Sequence, residues 1–475
     1  MKQTEKKRSP RRLAAEALVR ILDEGGLSHI VTEEVLAEAP GLDERDRALF
    51  HRLVKTVLER LFFLDHVIDG HSSTPVRKMK PFVRETLRTA VCQILFFDQI
   101  PSSAAVNEAV AEVKHSKYRS LAGFVNAVLR SIASDSGTIA EPDRSEPAAY
   151  LSVRWSMPLW IAELFLNRFG MEAAEEMFRY FNAEPGTAVR VNASRVPDGG
   201  IRAVREALSR EGAEIRDGHC QECFRLYGAG RVDRLDEFRS GRITVQDESS
   251  WTAVRAACTA LLQLRAKPGS TDAEAERNAE ADGEKITVCD LCAAPGGKSL
   301  AAAELLGERA EVFAFDQNER KCALIRENVE RCGYTNIRTA VRDARTEAVP
   351  AGSAADPSRG ELAAKSCDLL ICDLPCSGLG IMGKKKDIRY RLREQDLRDL
   401  ADLQREILTA AADLPHPGGL LLYSTCTLDP AENEEQAAWI SERFGYELLD
   451  ERTLRPDTDG CDGFYYALFR RPAES

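Results

Sequence analysis

Between about residue 245 and residue 472, short apolar runs rich in β-branched residues alternate with segments of helical periodicity. The runs are KITVCDL (285–291), EVFAFD (311–316), NIRTAVRD (336–343), CDLLICD (367–373) and GLLLYST (419–425). Such alternation is typical of a mostly parallel, doubly wound sheet. Ligands of these sheets bind at the edge where the strands end. The pattern therefore predicts an α/β Rossmann-like domain over residues 241–472, with functional residues directly after its strands.

The N-terminal part of the chain has helical periodicity instead. Residues 9–135 are predicted to form a helical bundle, because Phe50, Leu53, Val54, Val57, Leu58 and Leu61, and again Leu121, Phe124, Val125, Val128, Leu129 and Ile132, recur at helical spacing. Pro81 is predicted to begin another helix. A polar linker (134–149) follows. Residues 150–240 mix a helix (Trp160 to Phe169) with short strand-like pieces such as TAVRVN and RITVQD, which predicts a small α+β domain. Two polar insertions, 265–285 and 350–366, are expected to be mobile surface loops without chemistry.

Composition narrows the class of protein. Several of the thirteen cysteines lie in apolar runs, which is typical of free thiols in a cytoplasmic protein rather than of a disulfide framework. No apolar run approaches the ~18–20 residues of a membrane span, and no apolar stretch follows the basic N-terminus as in a secretory signal. A net charge of -11 argues against a protein that coats RNA generally, although local basic patches can still bind it.

The turn after the first strand of the α/β domain is the first candidate site. It consists of Cys292, Ala293, Ala294, Pro295, Gly296, Gly297 and Lys298. It matches neither the dinucleotide pattern G-x-G-x-x-G nor a P-loop, so a nucleoside with an amino-acid tail fits it better. Asp316 and Asp343 end the next two strands, where carboxylates are placed to hold a ribose and an adenine. Each acid alone could be a helix cap, but three strand-end acids in series with the glycine turn, Asp290, Asp316 and Asp343, favour a nucleoside site.

Two cysteines and a carboxylate follow the next two strands. Asp373 and Cys376 flank Pro375, and Cys426 ends the fifth run. The alternative interpretation is a pair of buried thiols, which are common; their place beside a cofactor site favours function. The pairs Cys289/Cys292 and Cys220/Cys223 have zinc-like spacing, but the first pair is embedded in a strand and the cofactor turn, so no metal site is predicted.

Three motifs, DLCAAPGGKS, DLPCSG and STCTLDPAENEE, resemble the Nop- and Sun-type family of RNA cytosine-5 methyltransferases. The segments GFVNAVLR and DRALFHRLVKTVLERLFFLDHVI resemble the NusB-like domain that is fused to this enzyme in bacterial RsmB-type proteins. The resemblance implies a class I methyltransferase with a mostly parallel seven-stranded sheet, S-adenosylmethionine as cofactor, and 16S rRNA, naked or in an assembling small subunit, as substrate. A monomer is the default expectation. Leu374 departs from the Ala or Val of many members.

The resemblance also implies residue roles. Cys426 is implied to attack carbon 6 of cytosine, which makes carbon 5 nucleophilic, and Cys376 to help release the product. Asp373 is placed near ring N3 and beside the cofactor; the motifs name no base for the carbon-5 proton. Lys384, Lys385, Lys386 and Arg389 are candidates for RNA phosphates, although such a run is more often a solvated face.

Two other functions are compatible with these motifs. The first is a non-enzymatic RNA-binding or assembly factor, against which the intact Asp316, Asp373, Cys376 and Cys426 argue. The second is the same chemistry on transfer RNA or at another site, against which only the resemblance of the N-terminal domain argues.

Overall fold

A computed structural model describes residues 8–183, 186–196, 198–265 and 285–473. The predicted insertion 265–285 lies almost entirely outside these described residues. The contacts define two compact units: residues 1–184 with 382–392, and residues 185–381 with 393–475. Within the described ranges, no helix is both long enough and apolar enough to cross a membrane.

The first unit is helical. Its helices are Pro10–Leu22, Ser28–Ala37, Glu44–His71, Pro81–Phe96, Ser102–Lys114, Ala122–Asp135, Pro147–Trp155, Leu159–Phe169, Met171–Asn182 and Ile388–Arg391. Pro81 begins a helix as predicted, and Ser9 caps the first helix by accepting from the N–H of Arg12. Both predicted apolar faces pack into one core, around the fully buried Phe50 and Leu129. The helix predicted from Trp160 to Phe169 is present, but it belongs to this unit rather than to a unit with strands.

The second unit contains a small antiparallel sheet. Its strands are β1 (Thr187–Val191), β2 (Glu214–Asp217), β3 (Cys223–Tyr227) and β4 (Ile243–Val245), in the order β2-β3-β1-β4. The helix Gly200–Arg210 buries Val204 and Leu208 in its core. The predicted short strands in TAVRVN and RITVQD are confirmed as β1 and β4, while the boundaries predicted for three domains stay predictions.

The same unit contains the predicted seven-stranded sheet, in the order β10-β11-β9-β8-β5-β6-β7. Its strands are β5 (Ile286–Asp290), β6 (Ala310–Asp316), β7 (Ile337–Val341), β8 (Cys367–Asp373), β9 (Pro415–Thr425), β10 (Glu447–Leu454) and β11 (Phe464–Arg470). β5 to β9 are parallel, and β11 and β10 add an antiparallel end. The accompanying helices are Glu248–Arg265, Gly297–Leu306, Glu319–Cys332, Glu394–Ala411, Glu434–Phe444 and Pro456–Asp459, while the short helix Asp236–Arg239 packs beside β4 of the small sheet. The ends of β5, β6, β8 and β9 therefore meet at one edge.

The insertion 350–366 is anchored, contrary to the prediction of a mobile loop. Leu362 is buried, and Val349 pairs with Ala363 as an isolated bridge. The carbonyl of Gly360 accepts a hydrogen bond of 2.6 Å from the guanidinium of Arg342. A polar composition concealed these contacts, because one buried leucine and backbone groups are enough to fix such a segment.

Candidate active site

The turn between β5 and the helix Gly297–Leu306 is shaped by backbone contacts. The N–H of Ala293 donates to the carbonyl of Phe315 in β6 (2.8 Å), and the N–H of Gly296 donates back to Ala293 (2.6 Å). Gly296 has a φ of +107°, and a Cβ there would lie 3.3 Å from Cγ2 of Ile325. A glycine is needed at this position because other residues rarely adopt such a φ.

Three carboxylates surround this turn. Asp290 is fully buried; its Oδ2 accepts from the Ser299 hydroxyl (2.7 Å), while Oδ1 has no hydrogen-bond partner among the described residues. Burial, reinforced by the charges of Asp373 and Asp316, raises the pKa of Asp290 to about 7. A cationic ligand would relieve this concentration of negative charge. The site therefore fits S-adenosylmethionine, whose sulfonium and ammonium groups are positive.

The predicted acids after β6 and β7 differ in their surroundings. Asp316 is buried, and its carboxylate accepts from the N–H groups of Ala294 (3.2 Å) and Gln317 (2.7 Å). It is therefore joined to the cofactor turn. Asp343 lies beyond β7 and is half-exposed, and hydrogen bonds from Arg345 lower its pKa to about 2. Asp343 is therefore held by a local arginine, and its predicted contact with adenine stays a prediction.

Asp373 connects the cofactor turn to the strands that carry the cysteines. Lys298 donates to its Oδ2 at 2.6 Å, and the hydroxyl of Ser424 donates to its Oδ1 at 2.9 Å. Lys298 also lies 5.1 Å from the ring centroid of Phe464. A charge-assisted hydrogen bond of this length holds its partners firmly. Lys298, predicted only as a residue of the cofactor turn, thus also orients Asp373.

The two candidate cysteines are brought together. The Sγ atoms of Cys376 and Cys426 are 3.3 Å apart, and both residues are partly exposed. The backbones of their loops are joined as well, because the N–H of Gly380 donates to the carbonyl of Cys426 at 3.0 Å. The hydrogen bond with Cys426 and burial raise the pKa of Cys376 well above its ordinary value. Ionisation of Cys376 is therefore unfavourable while its sulfur lies against that of Cys426.

Two of the four basic residues predicted to contact RNA are buried inside the helical unit. The ammonium of Lys386 donates to the carbonyl of Phe181 (2.5 Å) and lies 3.2 Å from Glu59. Arg389 is fully buried and donates to Asn182 at 2.9 Å. Groups within the protein thus occupy both cations. The prediction that Lys386 and Arg389 bind RNA phosphates is therefore wrong. Lys384 and Lys385 are exposed, and their contact with RNA stays a prediction.

Sequence reasoning missed several residues of the site. Ser424 contacts the predicted Asp373, and Glu432, Asn433 and Gln404 lie behind the cysteines. Glu432 and Asn433 stand in the quoted motif STCTLDPAENEE, so the signal was present. Only their burial beside the cysteine loops marks them as part of the site.

Comparison with known proteins identifies the family. Residues 279–470 match the family described as 16S rRNA methyltransferase RsmB/F, and residues 8–134 match the NusB family. A Bacillus subtilis protein named probable ribosomal RNA small subunit methyltransferase B is 30% identical over 484 residues, covering 98% of this chain and 99% of that protein. This chain belongs to the RsmB/F family of 16S rRNA methyltransferases.

Two further comparisons cover nearly the whole chain. The ribosomal RNA small subunit methyltransferase B of Proteus mirabilis is 28% identical over 97% of this chain and 98% of its own length. The crystal structure of PH0851 is 25% identical, with a TM-score of 0.72 over 98% of this chain and 100% of that one. As a member of the family, the chain is an S-adenosylmethionine-dependent rRNA methyltransferase. The predicted family, architecture and cofactor are thereby confirmed.

Proposed function

We propose that this enzyme methylates carbon 5 of a cytosine in 16S rRNA through a covalent adduct with Cys426. The observation that carries the proposal is the pair of thiols, 3.3 Å apart, at the ends of adjacent strands. Methylation of an exocyclic nitrogen or a ribose hydroxyl needs no thiol, whereas carbon 5 of cytosine is a weak nucleophile until a nucleophile adds to carbon 6. The names of the relatives support small-subunit rRNA as the substrate, and we place the activity in the cytoplasm.

The chemistry divides into formation and release of the adduct. The Cys426 thiolate forms a bond to carbon 6, and the electron pair displaced to carbon 5 forms the new bond to a methyl group. S-adenosylmethionine supplies that methyl group from a positively charged sulfur. Asp373, oriented by Lys298 and Ser424, is placed to stabilise the ring near N3. Loss of the carbon-5 proton then returns the carbon–sulfur electron pair to Cys426.

Cys376 is suited to the release step. Its pKa is raised first of all by its contact with Cys426. Once the sulfur of Cys426 is bonded to carbon 6, that hydrogen bond is lost, which removes the first cause of the raised pKa of Cys376. We propose that Cys376 then loses its proton to solvent and accepts the proton from carbon 5. Formation of the bond between Cys426 and carbon 6 thus prepares Cys376 for the release step.

Variants of the two cysteines test this division. Cys426→Ala should abolish methyl transfer and leave S-adenosylmethionine binding intact, whereas Cys376→Ala should accumulate protein covalently attached to RNA. Retained methylation by Cys426→Ala would overturn the assignment.

Bisulfite sequencing of ribosomal RNA from a strain lacking the gene should reveal one cytosine that has lost its methyl group. Loss of the methyl group from a cytosine of transfer RNA instead would identify a different substrate.

A further inference from the structure

Behind the two cysteines lies a pair of adjacent polar residues that the proposed mechanism does not use. Glu432 ends a short 3-10 turn (Pro430–Glu432), and Asn433 precedes the helix Glu434–Phe444. Both side chains are fully buried. Burying a polar group costs free energy unless the group is hydrogen-bonded. The hydrogen-bond partners of Glu432 lie beside Cys376, and those of Asn433 lie beside Cys426.

Glu432 fixes the loop of Cys376. Its Oε2 accepts hydrogen bonds from the N–H of Ser377 (2.9 Å) and from Nε2 of Gln404 (3.0 Å). The same Nε2 donates to the carbonyl of Pro375 at 3.0 Å. The residues before and after Cys376 are therefore both tied to one carboxylate and its glutamine.

Asn433 fixes the loop of Cys426 in the same manner. Its Oδ1 accepts from the hydroxyl of Thr425 (2.5 Å), and its Nδ2 donates to the carbonyl of Thr427 (3.1 Å). These two threonines are the neighbours of Cys426 in the chain. One asparagine thus holds the residues on both sides of that cysteine.

The two loops meet through side chains as well as through sulfur. The hydroxyl groups of Ser377 and Thr427 are 2.6 Å apart, and the hydroxyl of Tyr423 donates to the carbonyl of Glu432 at 2.5 Å. Glu432 and Asn433 are consecutive, so one peptide bond joins the residue that holds the Cys376 loop to the residue that holds the Cys426 loop. Together with the contact between the Ser377 and Thr427 hydroxyl groups, it sets the distance between the two loops. Asn433 makes hydrogen bonds to both sides of the loop that it holds, and Glu432 does so together with Gln404, although Oε1 of Glu432 has no hydrogen-bond partner among the described residues.

We propose that Glu432 and Asn433 are positioning residues with separate tasks: Asn433 places Cys426 for formation of the adduct, and Glu432 places Cys376 for its release. The inference rests on the covalent function proposed above. Both side chains are fully buried, which keeps them from direct contact with substrate. Each acts through the loop that it holds, where a displacement of about 1 Å can reduce a rate by about 100-fold.

The separate tasks predict opposite effects on the covalent intermediate. Glu432→Ala should accumulate adduct about tenfold or more above the wild type while methylated RNA is released about tenfold more slowly. Asn433→Ala should lower adduct and released product together. Glu432→Gln should restore release, because its amide oxygen can still accept from Ser377 and Gln404. Glu435→Ala, at an exposed carboxylate on the following helix, is the matched control and should behave as the wild type.

The experiment uses the full chain, transcribed 16S rRNA and S-adenosylmethionine labelled on its methyl group. Denaturing gels measure protein bound covalently to RNA, and purified RNA measures released product. Calorimetric binding of S-adenosylmethionine verifies that each variant is folded. Should Glu432→Ala lose this binding, Gln404→Met carries the same expectation, because it removes the donor to Pro375 at similar volume.

The outcomes separate the two proposals. If Cys376→Ala accumulates adduct but Glu432→Ala and Gln404→Met do not, the task assigned to Glu432 is wrong and the covalent mechanism stands. If Asn433→Ala accumulates adduct, the task assigned to Asn433 is wrong. If Cys376→Ala itself forms no adduct while Cys426→Ala remains active, the covalent mechanism fails, and the division of tasks fails with it.

Discussion

The buried carboxyl of Asp290 leads to a prediction about stability and pH. Its pKa of about 7, against an ordinary value of 3.8, is caused mainly by burial. The substitution Asp290→Asn imitates the neutral acid, because its amide oxygen can still accept from Ser299. The variant therefore keeps the packing of the site and removes only the ionisation. We expect it to be more stable than the wild type above neutral pH.

The sign and the size of this stability difference follow from the pKa of Asp290 in the folded protein and its ordinary value in the unfolded protein. A carboxyl with a raised pKa in the folded state holds its proton more tightly when folded, so its contribution to stability falls as the pH rises between the two values. Each pH unit in that window is worth about 1.4 kcal/mol, and three units give about 4 kcal/mol. The stability difference between variant and wild type should thus grow between pH 4 and pH 7 and stay constant above.

Urea unfolding of both proteins at pH 5, 6, 7 and 8 measures this difference. S-adenosylmethionine provides a control, because a cation beside Asp290 stabilises its ionised form and should reduce the gain. The variant should in turn bind S-adenosylmethionine more weakly than the wild type, because it has lost a negative charge. A stability difference that is the same at pH 5 and pH 8 would refute the reasoning.

Three further predictions concern the cofactor turn and the basic segment. Lys298→Met should reduce kcat by about 10–100-fold, because Asp373 loses its ammonium partner; unchanged initial rates would contradict this. Gly296→Ala should lower the free energy of unfolding by about 1–3 kcal/mol, given its φ of +107°; an unaltered denaturation midpoint would count against strain. Arg389→Ala should destabilise the protein by about 3 kcal/mol, whereas Lys385→Ala should change stability by less than about 0.5 kcal/mol and weaken RNA binding at low salt.

The parts of the site that could be predicted from sequence are those fixed by local pattern. Strands such as Cys367–Asp373 are apolar along their length, and parallel strands bring their final residues to one edge. The convergence of Asp316, Asp373, Cys376 and Cys426 follows from that rule alone. The two antiparallel strands at the end of the sheet were not predicted: the exposed β10 lacks an apolar run, whereas β11 is buried and apolar along its length and its signal was overlooked.

The errors arose where distant contacts override composition. A run of lysines and arginines is normally solvated, since charged side chains are almost never fully buried unless paired. Lys386 and Arg389 are buried because carbonyl and amide groups some 200 positions earlier, at Phe181 and Asn182, accept their hydrogen bonds. Nothing in the local sequence around residue 386 specifies those acceptors, so only the fold distinguishes these residues from Lys384 and Lys385.

The segment 382–392 determines when the helical unit can finish folding during synthesis of the chain. It belongs to the helical unit, yet it is synthesised about 200 residues after the last of that unit's other helices, an interval of about 10–40 s at ribosomal rates. Until then Asn182 and the carbonyl of Phe181 lack the cations that they bind in the finished fold. A nascent chain therefore completes its N-terminal unit only after the strand and loop of Cys376 have emerged, and a separately expressed N-terminal fragment would lack part of its own core.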